Sequence, residues 1–151
     1  MTIRVPLLPR WLRWSFVVGI AGFIFYTSIL AAPPSTAIDT LRFELIPLDK
    51  WRHFLAYGVL AGAILYAIVD WQLPIVRDAS LVIGLAFLYG VGIEFGQSLI
   101  PNRYFSLGDA YANFLGTILV TPWYLVRRHV EFVEVRTWVA AFGFTTETQQ
   151  K

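Results

Sequence analysis

Four long apolar stretches, separated by polar and charged residues, organise the sequence. A helix that crosses a membrane needs about 20 mostly apolar residues, with a range of about 17–25. We predict four such helices, at about residues 14–32, 49–69, 79–100 and 109–126. Pro33 and Pro34 end the first, because proline cannot continue the helical hydrogen-bond ladder. The pattern predicts an all-α membrane protein, a four-transmembrane-helix bundle that forms a single domain over residues 1–151.

The C-terminal tail, residues 127–151, has a different pattern. From Val130 to Phe142, apolar residues recur at near-helical spacing among charged ones, at Phe132, Val135, Val139 and Phe142. This spacing is typical of an amphipathic helix that lies in the membrane interface. We therefore expect an interfacial amphipathic helix after the fourth span, on the cytoplasmic side.

Composition supports a membrane location and excludes several other classes of protein. The chain is 57% hydrophobic and 15% charged, whereas soluble domains are about 45–50% apolar and about 25% charged. A formal net charge of +2 is too small to indicate nucleic-acid binding. The chain has no cysteine, which excludes disulfides, thiolate metal sites and cysteine nucleophiles.

The distribution of basic residues predicts the orientation, since Lys and Arg are enriched near span ends on the cytoplasmic side. With the N-terminus inside, the cytoplasmic face collects Arg4, Arg10, Arg13, Arg77, Arg127, Arg128 and Arg136. The outer face collects Arg42, Lys50, Arg52 and Arg103. We therefore expect a multi-pass protein of the cell membrane with both termini in the cytoplasm.

Polar residues within the predicted spans converge near the outer ends of three helices. Residues four apart share one face of a helix, so Asp49, His53 and Tyr57 form a single stripe. Other polar residues reach the same depth, namely Lys50, Glu94, Gln97, Arg103, Asp109 and Asn113. Small residues would let the helices approach closely, at Gly58, Gly62, Gly92, Gly96, Gly108, Ala112 and Gly116. Further in, the spans are almost wholly apolar, so we expect no second polar layer.

These residues resemble the motifs of the VanZ-like family. Asp49-Lys50-x-x-His53-Phe54-x-x-Tyr57-Gly58 is similar to the signature of its second helix. The third and fourth helices are matched by Glu94-x-x-Gln97, Pro101-x-Arg103, Ser106-x-x-Asp109 and Asn113-x-x-Gly116. Two positions differ, since Asn102 stands where the family often has glycine and Gly108 where it often has a larger apolar residue. The resemblance implies a small multi-pass membrane protein, linked to resistance to the lipid-tailed glycopeptide teicoplanin, without a settled reaction.

The polar residues allow several chemical roles. His53, Glu94 and Asp109 are a hypothetical acid/base set, because charged groups inside a bilayer are costly and mark function by default. The remaining polar residues form a hypothetical site for a substrate or an anion, namely Asp49, Lys50, Tyr57, Gln97, Arg103 and Asn113. Structural roles stay open as well. Ser106 and Asp109 have the spacing of a helix capping box, Glu94 could form a salt bridge with Arg103 or Lys50, and His53 could join helices.

We expect the partner to be a membrane lipid or a lipid-linked precursor of the cell envelope, recognised or modified at the outer interface. The alternatives are a membrane-embedded acid/base enzyme, a lipid flippase or transport accessory, and a purely structural adaptor. The sequence identifies no cofactor, and the lack of HExxH or paired-histidine spacing argues against a divalent metal. Four short helices barely enclose a pocket, so a homodimer or a partner membrane protein would fit.

Overall fold

The chain is mostly helical in its computed structural model, which describes residues 2–31, 48–135, 137 and 139. Strand β1 covers Ile3–Leu7, and helix α1 covers Arg10–Phe25 and continues as a π-helical turn, Tyr26–Leu30. Helix α2 covers Leu48–Ile68 and ends in a 3₁₀ turn, Val69–Trp71. Three further helical elements follow: α3, Ile75–Ser98, α4, Leu107–Ile118, and α5, Trp123–Val126. A 3₁₀ turn, Arg127–His129, then leads to strand β2, Val130–Glu134.

Among the described residues, three helices are long and apolar enough to cross a membrane, over Arg10–Leu30, Leu48–Trp71 and Ile75–Ser98. They correspond to the first three predicted spans. Helices α1 and α3 each begin several residues earlier than predicted, directly after Pro9 and Pro74. Proline suits the start of a helix, because the first N–H groups of a helix have no partner within it.

The fourth predicted span is not one continuous helix, and this part of the prediction is wrong. Helix α4 has 12 residues, which at 1.5 Å per residue is about 18 Å, well short of a bilayer core of about 30 Å. Beyond it the chain forms tighter turns, in which the Thr121 N–H donates to the Ile118 carbonyl at 2.9 Å. Pro122 explains the break, because it lacks an N–H and disfavours helical geometry at the residue before it.

The predicted C-terminal helix is also wrong over its first five residues, which form β2. This strand pairs in parallel with β1, from Ile3 opposite Val130 to Leu7 opposite Glu134. Valine and phenylalanine favour strands, and the N-terminal segment supplies the partner strand. Val135, Thr137 and Val139, the last described residues, are helical, and the other residues of the predicted helix, up to Phe142, lie outside the described residues.

Helix α2 packs against α1, α3 and α4. The backbones of α2 and α4 come closest where Gly116 faces Phe54, since a Cβ atom at Gly116 would overlap the Phe54 carbonyl. A Cβ at Gly58 would lie 3.3 Å from the Gly116 carbonyl oxygen. The predicted close packing is thus confirmed at these two glycines, whereas an added Cβ at Gly62 or Gly92 would meet no atom of a neighbouring described residue within 4 Å.

Candidate functional site

A polar cluster lies where the first turns of α2 and α4 meet the end of α3. We call it the His53 cluster, and its members are Asp49, Lys50, His53, Glu94, Asp109 and Asn113. The short loop between α3 and α4 and the close approach at Gly116 bring the three helices together here. Six of the nine predicted site residues thus form one contact network.

His53 connects the three helices. Its Nδ1 atom lies 3.0 Å from Asn113 Oδ1 and 3.7 Å from Glu94 Oε1. Its Nε2 atom lies 3.9 Å from Asp49 Oδ1 on its own helix. The Tyr57 ring lies one turn further along α2, with ring centroids 6.5 Å apart and an interplanar angle of 10°. Both ring nitrogens of His53 therefore face groups that can accept or donate protons.

Glu94 is fully buried. Its Oε2 atom accepts a hydrogen bond from the Ser106 N–H at 3.3 Å, while Oε1 has no hydrogen-bond partner within the described part of the chain. The Tyr57 hydroxyl and Asn113 Nδ2 are likewise buried without a partner. Glu94 Oε1 faces His53, and among the described residues Glu94 forms no salt bridge with Arg103 or Lys50, the partners that the structural alternative supposed.

Lys50 and Asp109 form an ion pair at the mouth of the cluster. The Lys50 Nζ atom also lies 3.7 Å from Asp49 Oδ2. Ser106 caps α4 as predicted, because its Oγ accepts a hydrogen bond from the Asp109 N–H at 3.2 Å. The Ser106 N–H, which a complete capping box would pair with Asp109, donates instead to Glu94. The Asp109 carboxylate is thereby left for Lys50.

Gln97 and Arg103 bind elsewhere. Gln97 Nε2 and Arg103 Nη1 both donate to the Ser28 carbonyl, at 3.1 Å and 2.8 Å. Ser28 lies in the π-helical turn of α1, so these two predicted site residues hold the end of α1 against the loop after α3. Within that loop Asn102 has φ 65°, a left-handed conformation that glycine adopts at no steric cost.

A second polar network lies at the opposite end of the bundle, so the expectation of no second polar layer is wrong. Arg13 is only 1% exposed. Its guanidinium binds both carboxylate oxygens of Asp70, at 3.1 Å and 3.0 Å, and also the Tyr66 and Ala67 carbonyls at the end of α2. Arg10 Nε donates to Asp70 as well, at 2.9 Å. The sequence contains a signal for this network. Asp70 lies at the end of one span, and Arg10 and Arg13 lie at the start of the antiparallel neighbouring span.

The family of the chain follows from a comparison of the sequence with protein-family models. The VanZ/LLP1 model matches residues 12–128. This chain belongs to the VanZ/LLP1 family. The match includes the whole His53 cluster and also Arg13 and Asp70, and it confirms the resemblance seen in the motifs. No curated protein and no solved structure matches the chain.

Two cavities of this VanZ/LLP1 protein lie near the Asp70 end. The smaller, of about 180 Å³, is lined by residues that include Asp78, Trp123 and Arg127. The larger, of about 480 Å³, is an open groove beside Arg10, Arg13 and Asp70. Asp78 Oδ2 lies 3.4 Å from Arg127 Nη1. The His53 cluster is a separate site, at the other end of the bundle.

The cap of α4 yields the first testable prediction. We expect Ser106→Ala to lower the free energy of unfolding by about 1 kcal/mol, because one N-terminal N–H of α4 loses its acceptor. Reversible unfolding in mixed micelles measures this. Ser98→Ala is the control, since Ser98 is bonded only to the Phe95 carbonyl within α3. Equal stability of both variants would contradict the assignment of the cap.

Proposed function

We propose that this VanZ/LLP1 protein recognises the polar headgroup of a lipid, or of a lipid-linked envelope precursor, with its His53 cluster. In this proposal the protein lies in the cell membrane with both termini in the cytoplasm, and the cluster is at the outer interface. Altered presentation of that molecule would contribute to resistance to glycopeptides of the teicoplanin type. Family membership supports a role related to resistance.

The observation that carries the proposal is a set of buried polar atoms that have no hydrogen-bond partner among the described residues. These are Glu94 Oε1, the Tyr57 hydroxyl and Asn113 Nδ2. Leaving a buried polar group unsatisfied costs about 1–3 kcal/mol, and more for a charged one. A headgroup that carries hydroxyl, amide or amine groups offers partners of the required kind. The atoms lie on three different helices, which favours an assembled site over three separate defects.

The mouth of the cluster is accessible. The Asp49 side chain is 59% exposed and that of Lys50 is 29% exposed, whereas His53 is 13% exposed. Exposure thus decreases stepwise from Asp49 to the fully buried Glu94. This gradient suits a headgroup that touches Asp49 and Lys50 first and His53 after them.

The distribution of arginines supports the proposed orientation. The other end of the bundle holds Arg10 and Arg13 near the start of α1, and Arg77, Arg127 and Arg128 lie at the corresponding ends of α3 and α5. Basic residues near span ends favour the cytoplasmic side. The His53 cluster then faces outward, where lipid-tailed glycopeptides encounter the membrane.

The test in cells is a second prediction. A teicoplanin-sensitive Gram-positive host would express the wild type, Glu94→Gln or the control Glu131→Gln, with membrane levels matched. Glu131 is exposed on β2, at the end remote from the cluster. We expect the wild type and the control to raise the inhibitory concentration of teicoplanin, and Glu94→Gln to return it to that of the host. Equal resistance from all three proteins would contradict a functional role for Glu94.

A membrane-embedded acid/base enzyme is the second candidate, favoured by the position of His53 between the carboxylates of Glu94 and Asp49. Such an enzyme would change the mass of a lipid in cells that express the wild type. Glu94→Gln would then abolish the product while headgroup binding stays intact. Mass spectrometry of lipid extracts from the same strains separates this candidate from binding alone.

A further inference from the structure

The His53 cluster holds more acidic than basic side chains. Three carboxylates, those of Asp49, Glu94 and Asp109, meet one ammonium group, that of Lys50. Lys50 is the one lysine or arginine that contacts these carboxyl groups among the described residues, and Glu94 is fully buried. Uncompensated charge is costly in a region of low dielectric. A divalent cation would supply the missing charge.

We infer that Asp49, His53 and Asp109 form a binding site for a divalent metal ion. One potential ligand atom of each residue lies within 4.8 Å of those of the other two. The Asp49 side chain is largely exposed, so it is free to rotate and shorten these distances. The spacing of the sequence does not reveal the site, because Asp109 joins the i, i+4 pair on α2 only through the packing of α4 on α2.

The hydrogen bond of His53 prepares it as a ligand. His53 Nδ1 lies 3.0 Å from the amide oxygen of Asn113, which is an acceptor, and Nε2 lies 3.9 Å from Asp49 Oδ1. Metal-bound histidines generally donate their other N–H to an oxygen atom that orients the ring. Glu94 Oε1, to which no described residue donates a hydrogen bond, lies 3.7 Å from His53 Nδ1. Asn113 and Glu94 therefore act as positioning residues behind His53.

Lys50 competes for the same position. Its ammonium group is paired with Asp109 and lies 3.7 Å from Asp49. A bound metal would displace it toward the exterior, where Gly108 leaves room. An added Cβ at Gly108 would lie 3.3 Å from Lys50 Cε, so a larger residue there would press on the lysine. The lysine would thus tune the metal affinity of the site.

One imidazole and two carboxylates suit Zn²⁺ or Mn²⁺, and three protein ligands leave coordination positions open. A phosphate oxygen of a headgroup could take such a position. This part of the inference rests on the proposed function. The metal ion would also allow an anionic headgroup to bind. The basic side chains nearby are already engaged, Lys50 with carboxylates and Arg103 with a carbonyl.

Direct titration tests the site. Protein purified without a polyhistidine tag and placed in nanodiscs would be titrated with Zn²⁺ and with Mn²⁺, and bound metal counted by mass spectrometry. We expect one ion per chain. His53→Gln and Asp49→Asn should each weaken binding at least about tenfold, and Asn113→Ala about 10–100-fold. Lys50→Gln should tighten it, and Glu131→Gln should leave it unchanged.

The outcomes are distinct. Failure of both ions to bind the wild type, or equal affinity for the wild type and His53→Gln, overturns the metal site. Tighter metal binding by Lys50→Gln supports the metal site, because removal of a purely structural lysine would not raise the affinity for a metal ion. If the metal binds but a chelator leaves the retention of phosphate-bearing lipids unchanged, the metal does not hold the phosphate of a headgroup, and that part of the inference is overturned. If the metal binds but no such lipid is retained with or without metal, the proposed function fails and the metal site stands.

Discussion

Gly116→Ala is expected to destabilise this protein strongly. The added methyl group would overlap the Phe54 carbonyl on α2, and a helix backbone cannot rotate away as a flexible side chain can. Overpacking of this kind costs about 1–3 kcal/mol and occasionally more, and we expect a loss of about 3 kcal/mol here. Denaturation in mixed micelles, followed by circular dichroism, gives the free energy of unfolding.

Gly62→Ala is the matched control, because Gly62 lies on the same helix as Phe54 and an added Cβ there would meet no neighbouring atom within 4 Å in the described part of the chain. Alanine is favoured over glycine in a helix by about 1 kcal/mol, so this variant should be as stable as the wild type or slightly more stable. Similar free energies of unfolding for Gly116→Ala and Gly62→Ala would show that α2 and α4 do not approach as described.

Asp70→Ala is expected to have the second large effect on stability. It leaves the guanidinium of Arg13, which is 1% exposed, without its counter-ion. Removing one partner of a buried ion pair costs about 3–5 kcal/mol. We expect about 3 kcal/mol, at the lower end, because Arg13 keeps the Tyr66 and Ala67 carbonyls and the Asp70 side chain is 23% exposed. The same unfolding measurement applies.

Two comparisons make this prediction specific. Glu131→Gln alters the exposed Arg4–Glu131 pair, with side chains 65% and 53% exposed, and should change stability by less than about 1 kcal/mol. The double variant Arg13→Met/Asp70→Leu should recover much of the loss, since replacing both partners removes the unpaired charge. A double variant as unstable as Asp70→Ala would contradict this account of the loss.

The sequence predicts the parts of this fold that depend on local patterns. Apolar length places α1, α2 and α3, and residues four apart align Asp49 and His53 on one face of α2. Short connections between antiparallel helices then bring Glu94 and Asp109 to the same end. Most of the His53 cluster could therefore be predicted without a structure.

Other features depend on contacts that a sequence does not display. The parallel pairing of β1 with β2 joins the two ends of the described chain, from Ile3 to Val130. Gln97 and Arg103 bind the backbone carbonyl of Ser28 in the π-helical turn. Because every residue has a backbone carbonyl, the sequence does not indicate which one is bound. The contact between Arg13 and Asp70 is also hidden in the sequence, because an arginine near the start of a span indicates a cytoplasmic flank and not a buried ion pair.

The most direct test of the central claim is headgroup binding by purified protein. The wild type, Glu94→Gln and Glu131→Gln, in nanodiscs, would be compared for retention of a polyprenyl-pyrophosphate-linked cell-wall precursor. A hydrogen bond to a charged group is worth about 1.5–3 kcal/mol, so we expect Glu94→Gln to weaken binding about 10–100-fold while Glu131→Gln binds as the wild type does. Full binding by Glu94→Gln, or no binding by the wild type, would contradict the recognition of a headgroup by the His53 cluster.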